Sequence, residues 1–476
     1  LELATGEWVA LLDHDDELTE DALYWMAASL EADPDADILY SDEDKIDEEG
    51  KLSDPYFKPD WSPELFLSQN MINHLGVYRR SLIEKAGRFR EGFEGSQDYD
   101  LALRVLEQTS DDRVRHVPAV LYHWRTVAGS VALATGEKTY PYERARKAIA
   151  EHLERKGVKA EVIAGRDGLS HRVRPDLPAR KPHVTVIVPT RDRLDMMRMV
   201  VTGLLETTDY PNWDLIIVDN GSEKAETLEY FAEIQADKRI SVLRDDAPFN
   251  FSRLNNLAVA QAKGPLILLL NNDIEPIDAG WLEEMVRQIQ RPGVGAVGAK
   301  LYYPTDTVQH VGVTTGIGGV AGHFDKHLPR EAPGYFSRAQ LIHNVTAATA
   351  ACLLTTKKIY KQVGGMNEKE LKVAFNDVDF CLKIRAAGHR IVLTPFAELY
   401  HHESVSRGLE DTAEKRDRFR SEMLWMRSKW GDALDADPYF SPNLSLDQES
   451  PTFAVPPRVA KPWERADDAD ETPPTG

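Results

Sequence analysis

Cysteine is scarce in this chain, which has only Cys352 and Cys381 among 476 residues. They form no Cys-x-x-Cys pair and no histidine–cysteine spacing of the zinc type, a usage that suits a reducing cytosol rather than a disulfide framework. Long apolar runs are also missing, since none approaches the roughly 20 residues that a membrane-spanning helix requires. We therefore expect a cytoplasmic protein, and the sequence leaves open a peripheral contact with the inner face of the plasma membrane.

Basic residues are also in short supply. The chain has 57 Lys and Arg against 78 Asp and Glu, a formal net charge of -21. This charge repels a phosphate backbone, so we expect no nucleic acid partner, and a phosphate-bearing ligand should arrive with a divalent cation. A hydrophobic fraction of 42% is typical of globular proteins, and the length predicts two or three domains.

One set of polar sites occurs twice along the chain. Its members are Asp13, Asp15, Asp98 and His123 in the first half, and Asn271, Asp273, Asp377 and His401 in the second. The interval from the central aspartate to the histidine is 25 residues in the first copy and 24 in the second. The near-equal spacing indicates an internal duplication.

Three short apolar runs in the second half, residues 184–188, 215–218 and 266–270, alternate with stretches of helical spacing. This alternation predicts a doubly wound α/β sheet with buried parallel strands. In such sheets ligands bind at the carboxyl ends of the strands. The polar residues that follow the runs should therefore share one crevice; they are Pro189, Thr190, Asp192, Asp219, Asn271, Asn272 and Asp273.

The duplication also predicts the domain boundaries. Residues 4–13 align with residues 262–271, and the first copy lacks the two strands that precede this point in the second copy. We expect an incomplete first domain with an exposed strand edge, and a truncated start, since residue 1 is Leu. The predicted segments are a first domain (1–138), a helical and Pro/Arg-rich connector (139–182), a complete second domain (183–430) and a disordered acidic, proline-rich tail (431–476).

The acidic strand ends suggest metal binding. Asp13 and Asp15 would lie on one side of an extended strand, and such oxygen ligands suit Mg2+ or Mn2+. In the second copy Asn271 replaces the first acid, so Asp273 alone carries the charge. A surface acidic turn is the alternative for either copy. The recurrence of His123 and His401 favours them as further metal ligands over satisfied structural histidines.

Asp98 and Asp377 each precede a stretch of helical spacing. They are candidates for a general base that takes a proton from a sugar hydroxyl, and helix N-capping is the alternative. Asp100 and Asp379 would then support the helix. Residues 316–322 resemble a dinucleotide loop but are misplaced for one, so we expect a flexible loop near the acceptor. His323 and His327 lack an acid between them, which argues against a second metal site there.

At these motifs the chain resembles the inverting family 2 glycosyltransferases of GT-A fold, a Rossmann-like fold for nucleotide-diphospho-sugar transferases. The matching segments are residues 188–193, 218–222, 271–273 and 376–377. The resemblance extends over nearly the whole chain as two tandem domains. Residues 40–45, 57–63 and 92–100 look more narrowly like two-domain enzymes of bacterial O-antigen and surface-polysaccharide assembly.

The resemblance implies a role for each matched residue. Asp192 and Asp219 would contact the base and ribose in a nucleotide pocket that includes Pro189, Thr190, Asn271 and Asn272. Asp273 would bind metal and diphosphate, and Asp377 would deprotonate the acceptor. The corresponding residues of the first copy are Asp13, Asp15, Asp98 and His123. Asn271 and Asn376 stand where the family has acids, which predicts weaker metal dependence in the second domain.

The sequence thus predicts an inverting, metal-assisted transferase that moves a sugar from a nucleotide-sugar donor to a saccharide or lipid-linked glycan acceptor. The missing Gln-x-x-Arg-Trp pattern favours transfer of one or a few sugars over processive synthesis. A non-catalytic glycan- or nucleotide-binding scaffold is the alternative. A nucleotidyltransferase is disfavoured because residues 189–193 contain no glycine.

Overall fold

The computed structural model describes residues 1–126, 139–403 and 412–464. The chain divides into two compact units. Unit 1 contains Leu1–Val173, Pro438–Ser445 and the stretch that begins at Thr452, and unit 2 contains Arg174–Asp437 and Leu446–Pro451.

Unit 1 is a mixed α/β unit built on a six-stranded sheet. The strands are β1 (Trp8–Ala10), β2 (Glu17–Leu18), β3 (Ile38–Ile46), β4 (Leu52–Tyr56), β5 (Gly76–Arg79) and β6 (Val114–Arg125), followed by the separate pair β7 (Ala160–Ala164) and β8 (His171–Pro175). The helices are α1 (Ala22–Ala32), α2 (Pro63–Phe66), α3 (Arg80–Lys85), α4 (Gln97–Leu106) and α5 (Tyr140–Arg155), with a 3-10 turn at Asp111–Arg113. The strand order is β1-β5-β3-β6-β2, and β4 pairs with β3.

Unit 2 is a mixed α/β unit with a ten-stranded sheet. Its strands are β9 (Val184–Thr190), β10 (Trp213–Asp219), β11 (Ile240–Arg244), β12 (Leu266–Leu270), β13 (Ile274–Pro276), β14 (Val294–Tyr302), β15 (Val308–His310), β16 (Val313–Thr315), β17 (Ala321–His323), β18 (His343–Val345), β19 (Cys352–Thr356) and β20 (Arg390–His401). Its helices are α6 (Leu194–Thr202), α7 (Ala225–Ile234), α8 (Phe251–Gln261), α9 (Trp281–Ile289), α10 (Lys357–Gln362), α11 (Asn376–Ala386) and α12 (Ala413–Trp430). A π-helical turn (Gly203–Thr207) and 3-10 turns (Ile317–Gly319, Tyr335–Gln340, Gly431–Leu434) complete it.

The sheet of unit 2 separates two hydrophobic cores. Its order is β11-β10-β9-β12-β19-β14-β20-β13, with β15 on β14 and β18 on β20, while β16 and β17 form their own hairpin. Every residue of β9 and β12 is buried. Because side chains alternate along a strand, Ile187 and Val218 enter one core while Val186 and Ile217 enter the other. The parallel pairing of β9 with β10 and β12 confirms the predicted buried parallel strands.

Five strands of unit 1 repeat an arrangement found in unit 2. The order β1-β5-β3-β6-β2 matches β12-β19-β14-β20-β13, and in both the successive pairings are antiparallel, antiparallel, parallel and antiparallel. In unit 2, β9 lies on the other side of β12, whereas the described residues of unit 1 place no strand on the other side of β1. The open side of β1 agrees with the predicted strand edge.

The segment predicted to be a connector is partly a component of unit 1. Helix α5 buries Ala145, Ala148 and Ile149, and the Arg155 guanidinium donates two hydrogen bonds to the Glu107 carboxylate, at 2.8 and 3.0 Å. The prediction missed this packing because the many charges on the outer face of α5 conceal a narrow apolar stripe.

The predicted disordered tail is also wrong for residues 431–464. Phe440 and Leu444 are buried, and the Asn443 side-chain amide donates to Asp42 Oδ2 at 3.1 Å. The acidic, proline-rich composition hid these few apolar anchors, while residues 465–476 lie outside the described part of the chain. None of the described helices has the length and apolar character needed to cross a membrane. Trp425 and Trp430 pack against the core of unit 2.

Candidate active site

The carboxyl ends of the three central parallel strands of unit 2 meet at one edge of the sheet. Strand β9 lies between β10 and β12, and Pro189 is in register with Val218. The Asn272 side-chain amide donates to Thr190 Oγ1 at 2.9 Å, so the residues after β12 reach the end of β9. The strand ends are therefore adjacent, and a ligand crevice lined by them stays a prediction.

Asp192 and Asp219 both bind the loop that follows β10. Asp192, whose φ is +52°, accepts hydrogen bonds on Oδ1 from the backbone amides of residues 223 and 224, at 3.1 and 2.9 Å. Asp219 is buried, accepts from the Ser222 amide at 2.9 Å and pairs with Arg244 at 2.5 Å. In the structure these carboxylates shape the loop, and a contact with a base or ribose stays a prediction.

The second-copy residues predicted to hold a metal come together at the end of β12. Antiparallel pairing of β13 with β20 sets Ile274 opposite His401, which brings His401 beside the preceding residue, Asp273. His401 Nε2 lies 3.2 Å from Asp273 Oδ1 and 3.4 Å from Asn271 Nδ2. Both Asp273 and His401 are buried.

A chain of hydrogen bonds orients His401 as a ligand. Gln309 donates from Nε2 to Glu403 Oε2 at 3.0 Å, so its Oε1 is the atom that lies 2.7 Å from His401 Nδ1. In the neutral ring the proton is then on Nδ1, and Nε2 accepts from the Asn271 amide while Asp273 Oδ1 lies 3.2 Å away. An imidazole nitrogen and a carboxylate oxygen at this separation could be neighbouring ligands of one divalent cation, and carboxylate with imidazole suits Mn2+ or Mg2+.

Asp377 lies in the first turn of α11 and is not its N-cap. The N-cap position is Phe375, which has a φ of +57°, and no side chain caps the helix. Asp377 is partly exposed and accepts a hydrogen bond on Oδ2 from the Ala350 amide at 3.1 Å. The next residue, Ala351, accepts on its carbonyl from the Asn271 amide at 3.0 Å. A single dipeptide therefore joins the candidate base to the candidate metal site.

The neighbouring aspartates, Asp100 and Asp379, support their helices as predicted. Asp379 is buried and pairs with Lys383 one turn later at 3.0 Å, and Trp430 Nε1 donates to it at 3.0 Å. Asp100 is equally buried and pairs with Arg104 at 2.7 Å. In unit 1 the N-cap position is Ser96, so Asp98 is not a capping residue either.

The first-copy metal set differs from the prediction. The ligand atoms of Asp13, Asp16 and His74 all lie within 4.8 Å of one another, whereas Asp15 lies beside His14 and has a side chain that is 46% exposed. The prediction assumed an extended strand, but the chain turns here, with the Asp16 amide donating to the Asp13 carbonyl at 3.3 Å. The first and fourth residues of the turn meet, and Asp15 points elsewhere.

His123 is also not brought to this cluster. Its Nδ1 is hydrogen-bonded to Asp44, and the histidine near the acids is His74, whose Nδ1 lies 2.8 Å from Glu43 Oε2. Burial lowers the pKa of His74, but the Glu43 carboxylate raises it by more than burial lowers it. The pKa of His74 is therefore raised overall. A raised pKa favours the protonated ring, which cannot ligate a cation, so His74 is a weaker ligand than an unshifted histidine would be.

Asp98 lies near the same cluster in unit 1. Asn70 donates to its Oδ2 at 2.7 Å. Burial raises the pKa of Asp98, the charge of His74 lowers it, and the net direction is upward.

Sequence reasoning missed Asp16, His74, Gln309 and Glu403. Asp16 was visible within an acidic run, but only the pairing of β2 with β6 shows that it corresponds to Asp273. Gln309 lies in a strand of only three residues, Val308–His310, whose sequence carries no signal for such a role.

Comparison with known proteins relates part of the chain to one family. Residues 185–364 match the family described as Glycosyl transferase family 2. An uncharacterized protein, y4gI, of Sinorhizobium fredii is 50% identical over 458 residues, covering 96% of this chain and 50% of that protein. The O-antigen biosynthesis protein RfbC of Myxococcus xanthus is 40% identical over 448 residues, covering 93% of this chain and 34% of that protein. The chain thus spans half or less of the length of these two relatives.

Among solved structures, the chain is similar to the mannosyltransferase PcManGT from Pyrobaculum calidifontis in complex with GDP-Man and Mn2+. The TM-score is 0.41 at 18% identity, covering 56% of this chain and 69% of that chain. The residues that match glycosyl transferase family 2 lie within unit 2. Together with the named O-antigen relative, this match supports a transferase, specifically a glycosyltransferase.

Proposed function

We propose that unit 2 transfers a sugar from a nucleotide-diphosphate sugar to a hydroxyl of a growing bacterial surface glycan, with inversion at the anomeric carbon. One observation carries the proposal: the dipeptide 350–351, which lies in the segment that matches glycosyl transferase family 2, joins Asp377 to the site of Asn271, Asp273 and His401. A base and a cation site at one strand edge are the two groups that such a transfer needs.

The proposed reaction uses Asp377 as the general base. The acceptor O–H bond breaks as its proton passes to the Asp377 carboxylate, and the oxygen forms a bond to the anomeric carbon. The bond to the nucleoside diphosphate breaks on the opposite face, so the configuration inverts. A divalent cation held by Asp273 and His401 would neutralise the charge that develops on the leaving diphosphate.

The nucleotide end of the donor would bind where β9 and β10 end. Thr190, Asp192 and Asp219 surround this end of the crevice, and the loop held by the two carboxylates would form its wall. We assign the working site to unit 2 because the described strands of unit 1 include no counterparts of β9 and β10. The two units would then be tandem GT-A domains of unequal completeness.

The acceptor is proposed from the relatives and is a surface glycan of the O-antigen type, saccharide or lipid-linked. RfbC, 40% identical over 448 residues, carries the name of O-antigen biosynthesis. A lipid-linked acceptor would require the protein to work at the inner face of the plasma membrane, and peripheral contact there is part of the proposal.

A ligand screen followed by one substitution tests the function. UDP-, GDP- and dTDP-sugars, each with and without Mn2+, should include one that raises the thermal midpoint, because a ligand that binds only the folded state stabilises it. Asp377→Asn should retain that shift and lose transfer by at least about a hundredfold. Glu233→Gln, an exposed acid-to-amide change, is the matched control and should leave both unchanged.

Two outcomes would contradict the proposal. Unchanged turnover in Asp377→Asn would remove the assigned base. Tight donor binding by the unaltered protein with no turnover of any bound donor would identify a non-catalytic binding protein instead.

A further inference from the structure

Two histidines, one buried and one partly exposed, lie beside Asp377 and take no part in the transfer step described above. His310 ends β15 and is 1% exposed, and His323 ends β17 and is partly exposed. Their Nδ1 atoms lie 2.9 Å apart, with the rings edge to face at 89°. Strand β17 pairs with β16 across a glycine-rich turn in which Gly316, Gly318 and Gly319 all have positive φ.

The hydrogen bonds determine which nitrogen of each ring carries the proton. The Thr349 backbone amide donates to His310 Nε2 at 3.4 Å. Burial lowers the pKa of His310 and of His323, so both rings are neutral near pH 7. Because Nε2 of His310 accepts, its proton is on Nδ1 and is donated to His323 Nδ1. His323 must then carry its own proton on Nε2.

This N–H group belongs to the surroundings of the candidate base. The two consecutive amides of residues 349 and 350 donate to His310 and to Asp377 respectively. Burial is the largest influence on the pKa of His323, and Asp377 exerts the largest influence of any charge, ahead of Lys326, Glu403 and Glu449. The described residues provide no hydrogen-bond partner for His323 Nε2.

The same bonds exclude a second metal site at the pair. Both nitrogens of His310 are already used, one accepting from Thr349 and one donating to His323, and His323 Nδ1 is used as an acceptor. The one remaining group is a hydrogen-bond donor, and an N–H group cannot ligate a cation.

We propose that His323 Nε2 donates a hydrogen bond to an uncharged oxygen of the acceptor sugar, next to the hydroxyl that Asp377 deprotonates. His310 is a positioning residue that fixes the tautomer of His323. The proposal rests on the proposed function of unit 2. Neither histidine supplies a positive charge and the Asp377 carboxylate repels an anion, so the acceptor is a neutral sugar at this position.

The tautomers can be measured without any substrate. In the full chain labelled with nitrogen-15 in histidine, with signals assigned through His310→Gln and His323→Gln, the ring shifts at pH 7 should show His310 protonated on Nδ1 and His323 protonated on Nε2. A charged ring, or the opposite tautomer at either residue, would overturn the proposal. Because this result is independent of turnover, it separates a failure here from a failure of the proposed function.

Binding can be followed on the same sample and then by kinetics. A panel of neutral octyl glycosides should include one that shifts the His323 signal and leaves His327 unchanged. With the donor found by the thermal screen, His323→Phe should raise the acceptor KM on the order of tenfold, the loss expected for one hydrogen bond. His323→Gln, which keeps an N–H donor, should recover part of this loss, while hydrolysis of the donor alone stays unchanged in both variants.

His327→Gln is the matched control, since His327 is exposed and stacks on Tyr303. An unchanged acceptor KM in His323→Phe would overturn the assignment. The assignment would also be overturned if His323→Phe reduced donor hydrolysis by the same factor as transfer. That pattern indicates a general structural defect rather than a lost acceptor contact. If none of the glycosides shifts the His323 signal, the proposed acceptor contact is wrong.

Discussion

The two units share the order and direction of five strands but use the histidine at the end of the long strand differently. In unit 2 the Nδ1 of His401 faces the Gln309 amide, which leaves Nε2 beside Asp273. In unit 1 the Nδ1 of His123 is bound by Asp44, and another histidine, His74, occupies the place near the acids. The same strand register therefore supports different ligand sets, because the partner of one ring nitrogen decides where the ring points.

A second difference lies at the other end of the shared strands. Strand β12 has β9 and β10 beyond it, with the polar ends proposed to bind the nucleotide, whereas β1 has one neighbour among the described strands. The comparison predicts that the units are unequal in activity, in stability, in pH dependence and in metal binding.

The largest effect concerns the two candidate bases. Asp98→Asn should leave sugar transfer within about twofold, whereas Asp377→Asn should reduce it by about a hundredfold or more, the contribution of a general base. Measurement of initial rates with the donor found by the thermal screen compares them directly. The double variant Asp273→Ala, Asp377→Asn should have neither transfer nor donor hydrolysis. Activity that survives in it would show that unit 1 is catalytic.

The next effect concerns the aspartates that support the two helices. Asp100→Ala leaves Arg104, whose side chain is 9% exposed, as an uncompensated buried charge, and should cost unit 1 about 3 to 5 kcal/mol of unfolding free energy. Asp379→Ala should cost unit 2 less, because Lys383 is 22% exposed and can reach water. Urea unfolding measures both. Asp35→Ala, with a side chain 90% exposed, is the control. Equal losses of unfolding free energy in Asp100→Ala and Asp379→Ala would contradict the burial argument.

A smaller effect is the pH dependence that His116 gives to unit 1 above neutral pH. Burial lowers the pKa of His116, but Asp42 and Asp60 raise it more, to about 9. Since this folded pKa lies above the unfolded value, the stabilisation is complete below about pH 6.5 and is lost as pH rises through about 9. We expect roughly 2 to 3 kcal/mol of stability to disappear between these limits. His116→Gln should flatten the profile, and a slope that persists in the variant would assign it to other groups.

The smallest effect concerns the amide that orients His401. Gln309→Leu should weaken Mn2+ binding about tenfold, the usual result of removing a group that orients a metal ligand. Asp44→Asn changes the corresponding partner of His123 in unit 1 and should leave Mn2+ affinity unchanged. Isothermal titration calorimetry with Mn2+ checks both. A loss in Asp44→Asn would place the metal in unit 1.

Part of this site could be predicted from sequence because it depends on strand ends. Asp273, Asp377 and His401 follow recognisable apolar runs or recur at matched spacing, and the parallel strands bring them to one edge. Asp15 and His123 were predicted by the same pattern and are not in the cluster, because a turn and a competing carboxylate decide their positions. Gln309 and His310 were not predicted, since β15 comes to the site only through its pairing with β14.

Strand β15 contributes to both halves of the site through two consecutive residues. Gln309 orients His401, the proposed metal ligand. His310 keeps the ring proton of His323 on Nε2, where it can be donated in a hydrogen bond. Neighbouring residues of a strand exchange faces when its register slips by one, so an insertion or deletion within residues 303–307 would misplace both side chains at once. A change in the length of that turn would therefore disturb the proposed metal site and the proposed acceptor contact together. Substitution of Gln309 or of His323 would disturb only one of them.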